Sequence, residues 1–178
     1  LPISGQGAWD PPADRADPVG LLEAQASTRV PELVPIRHGR MLASPFTFLR
    51  GSANVMAADL AGTPRTGLRV QLCGDAHAGN FRGLASAERR MLFDLNDFDE
   101  TLPGPWEWDV KRLAASLVVA GRHRGFDESF CRELARGAAR EYRLGVRRFA
   151  EMSELDIWYS RIVADEFLRA FEEKGMGK

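Results

Sequence analysis

Apolar and polar positions divide the chain into an irregular N-terminal stretch, two short alternating segments and a long helical second half. Residues 1–17 hold Pro2, Gly5, Gly7, Pro11 and Pro12 without apolar periodicity, so they read as an extended arm. Asp17-Pro18 has the form of a helix start, with Asp as N-cap and Pro in the first helical position. Leu21, Leu22, Ala24 and Val30 would share one face of that short helix. Residues 31–44 carry Pro31, Pro35, Gly39 and three basic side chains, Arg37, His38 and Arg40. An apolar turn over residues 44–51 ends in Arg50, and residues 52–61 form a helix with Val55, Met56 and Leu60 on one side. Residues 68–73 alternate with period two and predict a strand; residues 90–95 predict a second that ends in an acidic cluster. After a break at Gly104-Pro105 the pattern becomes helical: residues 106–124 with an inward stripe of Trp108, Leu113, Leu117 and Val118, then a helix capped by Asp127 reaching about Met152, then one over about 155–173. The expected fold is α+β, a small β element with acidic loops packed on a mainly helical C-terminal half, in one domain over 18–178.

Composition narrows the function classes. With 178 residues, 44% of them hydrophobic and 28% charged, the chain can bury one core and is not disordered overall. It carries 24 Lys and Arg against 25 Asp and Glu, without the basic excess of a dedicated nucleic-acid binder, so nucleic acid is not an expected partner. No apolar run approaches the ~18 residues of a membrane span, so no membrane partner is expected either. Cys73 and Cys131 make neither a disulfide framework nor a zinc-ligand set, which points to a reducing, cytoplasmic setting.

The informative region is 73–109. Asp75, His77 and Asn80 follow the first strand, and Asp94, Asp97, Asp99 and Glu100 lie at or after the end of the second. Two strand-following loops with carboxylates can converge on a cation, and Mg²⁺ favours a few hard oxygen ligands completed by water and phosphate. Asp75 and Asn80 have the Asp-x-x-x-x-Asn spacing of a kinase catalytic loop, where the Asp orients or deprotonates the acceptor hydroxyl and the Asn holds Mg²⁺. Cys73-Gly-Asp-Ala-His-Ala-Gly-Asn80 resembles the His-Gly-Asp-x-His-x-x-Asn loop of aminoglycoside and choline kinase-type phosphotransferases, with Cys73 in place of the first His. Asp97 and Asp109 stand twelve residues apart, as do that family's metal Asp and helix-start Asp. The resemblance implies Asp75 as the catalytic residue, Asn80 and Asp97 as metal ligands, Asp109 as a brace for the loop, and Mg²⁺ and ATP as cofactors. Asp94, Asp99 and His77 are second-rank site candidates, and Arg50 is a phosphate-binding candidate. Trp106, Trp108, Trp158 and Tyr159 read as core or interface residues.

A closer resemblance covers nearly everything after residue 37. The stretch from Ser44 to Gly51, the Cys73–Phe81 loop, Asn96-Asp-Phe-Asp-Glu-Thr101, Gly104-Pro-Trp-Glu-Trp-Asp-Val-Lys-Arg-Leu-Ala-Ala-Ser116 and Asp156-Ile-Trp-Tyr159 resemble the bacterial domain-of-unknown-function family 2252. Longer members place a Gly-rich segment and a Val-Lys-Glu-like segment after this region, which implies a permuted kinase-like fold. On that reading the chain is the N-terminal part of a longer protein, arranged like a kinase C-terminal lobe, with a small-molecule or other phosphate acceptor as partner. A lobe lacking its mate would expose apolar surface that can drive homo-oligomers. Two alternatives stand beside phosphotransfer. One is a non-catalytic binding module or pseudoenzyme fragment. The other is a metallophosphoesterase, for which three histidines, His38, His77 and His123, are few.

Overall fold

The computed structural model describes residues 10–163. Seven helices are present there: α1 (Pro18–Ala26), α2 (Val34–Met41), α3 (Pro45–Gly51), α4 (Ala53–Ala61), α5 (Glu107–His123), α6 (Glu128–Phe149) and α7 (Glu154–Tyr159). Four strands, β1 (Arg69–Leu72), β2 (Phe81–Ala85), β3 (Met91–Leu95) and β4 (Leu102–Pro105), form two separate antiparallel pairs. The fold is α+β, as the sequence pattern predicts.

The N-terminal helices follow their caps. The Asp17 carboxylate accepts from the Val19 and Gly20 amides, and Pro18 fills the first turn. α1 stops at Ala26, short of Val30, because the Ser27 and Thr28 hydroxyls donate back to the Ala24 and Gln25 carbonyls before Pro31 opens a short 3₁₀ turn. The expected apolar turn over residues 44–51 is a helix instead. Ser44 and Thr47 close a reciprocal capping box, the Thr47 amide donating to Ser44 Oγ at 3.1 Å and the Ser44 amide to Thr47 Oγ1 at 2.8 Å. The basic segment 34–41 is also helical, with Pro35 in its first turn where no amide partner is needed. Leu22, Met41 and Val55 from α1, α2 and α4 form one apolar cluster, with Leu21 packed against it. Of the expected arm, residues 1–9 lie outside the described region; residues 10–17 are held where Arg15 grips the Asp59 carboxylate with two nitrogens, at 2.7 and 2.8 Å.

β1 pairs with β4 in the register Arg69↔Pro105 to Leu72↔Leu102, and β2 with β3 from Phe81↔Leu95 to Ala85↔Met91. Gly104-Pro105 therefore ends a strand rather than breaking the chain. Pro is tolerated in a two-stranded edge, and a Cβ at Gly104 would come within 2.5 Å of Leu72 Cδ1. The two pairs hold opposite ends of two loops: residues 73–80 run from β1 to β2, and residues 96–101 from β3 to β4.

α5 lies under the 73–80 loop and against α6. Its expected inward stripe is only half-buried; the buried positions are Glu107, Arg112, Ser116 and Gly121. Gly121 permits the close crossing, since a Cβ there would sit 2.7 Å from Sγ of the fully buried Cys131. The helix expected over 155–173 ends at Tyr159. Residues 160–163 turn extended beside β3, where the Phe93 amide donates to the Ile162 carbonyl and Val163 bridges Leu92; residues 164–173 lie outside the described region. Trp106 stacks on Tyr142 with ring centroids 5.5 Å apart, but Trp158 is 82% exposed and Tyr159 is exposed, so neither of these two belongs to the core.

Candidate functional site

One cavity of about 440 Å³ is lined by Asp75, His77, Asn80, Asp97 and Arg50, together with Leu33, Ile36, Arg37, Arg40, Met41, Thr47 and Gly51. The loop after β1 and the loop after β3 thus converge, and α2 and α3 close the opposite side.

The loop 73–80 is shaped by close approach and by α5. Gly74 has φ +85°, and a Cβ there would collide with the Glu100 carbonyl of the facing loop. Asp109 Oδ2 accepts from the Cys73 amide at 2.7 Å and Oδ1 from the Gly74 amide at 3.0 Å. One helical turn on, Arg112 Nε pairs with Asp75 Oδ1, and its Nη2 donates to the Leu49 carbonyl of α3 at 2.7 Å. A further turn on, Ser116 Oγ accepts from the Ala78 amide at 2.9 Å and donates to the Leu113 carbonyl. One polar face of α5 thereby fixes the loop at three successive points.

Within the loop, His77 is 2% exposed. Its Nδ1 accepts from the Gly79 amide at 3.0 Å, so Nε2 carries the proton of the neutral ring and faces Asp75 Oδ2 at 3.5 Å. Burial pushes the His77 pKa down to about 4, with Arg112 and Arg50 adding to the shift. Burial moves Asp75 the other way, up to about 6, against the attraction of Arg112. Burial also raises Asp109, although its two backbone donors oppose the shift. Asn80 is buried; its Nδ2 donates to the Asp75 carbonyl at 2.7 Å, which leaves Oδ1 with no partner among the described residues. The Asn96 amide donates to the Asn80 carbonyl at 3.1 Å and Cys73 Sγ to the Asp97 carbonyl at 3.3 Å, so both loops are stitched together beside the cavity.

Over residues 29–178 the chain matches the family described as Uncharacterized protein conserved in bacteria (DUF2252). The chain belongs to the DUF2252 family. Neither the curated proteins nor the solved structures contain a match to it.

In this DUF2252 chain the expected site residues separate into two groups. Asp75, His77, Asn80, Asp97 and Arg50 share the cavity; Asp109 stands behind it on the loop amides. Asp94 and Asp99 do not line the cavity. Asp94 is exposed and accepts from the Leu95 amide, and the Asp99 amide donates to Asp97 Oδ1 at 3.3 Å. Sequence reasoning missed Arg112 and Ser116. Their signal was present: Asp109, Arg112 and Ser116 follow i, i+3, i+7, a polar face inside an otherwise apolar helix. It also missed Arg37 and Arg40, which line the cavity, because residues 31–44 gave no helical period. Cys73 is buried, and burial among three carboxylates raises its thiol pKa, as suits an inert core thiol. Among the described residues no three His, Cys, Asp or Glu side chains cluster as a metal site, and no helix is long and apolar enough to cross a membrane.

Proposed function

We propose that the cavity is a phosphotransfer site of kinase-like type, built as in the C-terminal lobe of a kinase. The observation that carries this reading is that Asp75, Asn80 and Asp97, from two different loops, line one cavity with Arg50. Asp75 is the group that orients and deprotonates an acceptor hydroxyl. A carboxylate whose pKa is pushed to about 6 is a competent base near neutral pH. Asp109 keeps the loop in place without facing the acceptor, and Arg50 reaches toward phosphate oxygens.

Asn80 Oδ1, which has no hydrogen-bond partner among the described residues, and Asp97 fit a divalent cation that takes its remaining ligands from phosphate and water. Mg²⁺ bound there would offset phosphate charge. Two protein ligands suit an ion shared with a nucleotide, and such a site needs no three-carboxylate cluster.

The test is nucleotide binding by the whole gene product, titrated with and without Mg²⁺. ATP binding that requires Mg²⁺, and that weakens ~10-fold or more in Asp97→Asn, is expected. Turnover should then rise through a limb near pH 6 as Asp75 ionises. No nucleotide binding by a folded protein overturns the reading. A binding-only role is the second reading; it is favoured by the Arg112 ion pair that already occupies Asp75 Oδ1.

A further inference from the structure

Two basic residues of α2 border a cavity rather than forming a simple surface run. Arg37 and Arg40 of α2 and Arg50 of α3 line the same cavity as Asp75, Asn80 and Asp97. Arg40 and Arg50 make no ion pair and no side-chain hydrogen bond among the described residues. Arg37 is anchored: its Nη2 donates to the Gly51 carbonyl at 2.5 Å and to Gln25 Oε1 at 3.1 Å. Its Nη1 is buried without a partner.

The carboxylates across the cavity do not cancel this charge. Asp75 is already paired with Arg112 from behind, so among the side chains that line the cavity three guanidinium groups stand against one carboxylate without an ion pair, Asp97, and Glu100 adds its charge near Arg37. Leu33, Ile36 and Met41 line the same space and weaken solvent screening between the charges. Guanidinium forks match the oxygen spacing of phosphate better than any other side chain does. The cavity, at about 440 Å³, holds more than a lone phosphate ion and matches a small organic ligand.

We infer that Arg37, Arg40 and Arg50 form an anion subsite that takes a phosphate group, across the cavity from Asn80 and Asp97. The inference deepens the phosphotransfer reading and rests on it only for the source of that phosphate. The group belongs either to a nucleotide's terminal phosphate or to an acceptor that is itself a phosphate monoester.

The experiment titrates the whole chain by calorimetry in chelator, without divalent metal, using pyrophosphate and glycerol phosphate as probes. It repeats the titration with ATP and Mg²⁺. Arg40→Gln, Arg50→Gln and the double variant are compared; both positions are exposed, and thermal melts confirm that each variant folds. Pyrophosphate should bind without metal, weaken as salt rises, and lose ~10-fold or more in affinity in the double variant. Glycerol phosphate lost in parallel assigns the subsite to the acceptor; loss confined to pyrophosphate and Mg-ATP assigns it to the nucleotide. A wild-type chain that binds no phosphate probe, or a double variant that binds them all as tightly as wild type, overturns the inference. Metal-free phosphate binding without any Mg-nucleotide binding would instead sink phosphotransfer and leave the anion subsite standing. Mg-ATP binding by a chain that binds neither phosphate probe without metal would do the reverse.

Discussion

Asp75 and His77 stand 3.5 Å apart and titrate in opposite directions. The Asp75 carboxyl, raised from 3.8 to about 6, holds a proton in the native state that the unfolded chain has released, so its contribution to stability falls as pH rises from about 4 to 6. The His77 imidazole, lowered from 6.5 to about 4, has released a proton that the unfolded chain still holds, so its contribution grows over about 4 to 6.5. The two offset each other across nearly the same window. His77→Asn separates them, because an Asn oxygen can still accept from the Gly79 amide at this cap. The stability advantage of wild type over the variant should grow as pH rises from 4 to 6.5 and level off above 7, read from thermal melts at matched salt. A gap independent of pH would contradict the neutral, buried imidazole. Arg112 is the third member of this group, and its removal would leave the Asp75 carboxylate buried without its counter-ion.

At the scale of elements, the cavity depends on two short helices, of which α3 buries little apolar surface and holds its place by its cap. α3 has seven residues and no buried position, yet it carries Arg50 and offers the Leu49 carbonyl to Arg112. Its capping box is therefore a large part of what fixes it. Ser44→Ala should cost about 1 kcal/mol in urea unfolding. It should also weaken pyrophosphate binding, since Arg50 moves with the helix; an unchanged midpoint and affinity would show that α3 is held elsewhere. The same elements show what the sequence made legible. Asp17-Pro18 and Asp127 announced their helices through side chains that bond to neighbouring amides, a local signal. Ser44-Pro45 is the same signal, but seven residues give too few periods to outweigh the apolar run, and the segment reads as a turn. β2 was missed because it begins at the last residue of the catalytic-type loop with no turn residues between them. Asp75, Asn80, Asp97 and Asp109 could be picked out because their spacing belongs to the loops themselves. Arg37 and Arg40 could not, because their approach to Asp75 depends on how α2 packs on α3, which no local pattern records.

At the scale of the whole molecule, the buried side chains among the described residues are nearly as often polar as apolar. Leu22, Met41, Val55, Leu60, Leu72, Cys73, Ala76 and Cys131 are matched by Ser52, Thr63, His77, Asn80, Glu107, Arg112 and Ser116. Hydrogen bonds that fail to form inside such a core cost more than those at a surface, so the region around the cavity is held by side-chain hydrogen bonds as much as by apolar packing, with Arg37 Nη1 and Glu107 Oε2 left over. The face of α5 formed by Asp109, Arg112 and Ser116 is the centre of that pairing, and it has a dynamic consequence. The Cys73, Gly74 and Ala78 amides belong to a loop, yet each is donated to a side chain of one long helix. Their protons can reach solvent only when the loop lifts from α5. In deuterated buffer these three amides should keep their protons as long as the interior amides of α5 do, and lose them together with those amides when denaturant is added. Rapid, independent exchange would mean that the loop breathes on its own. Slow exchange makes the helix the clock of the loop: any ligand that enters the cavity meets a wall that is already set, and association need not wait for a surface to be organised.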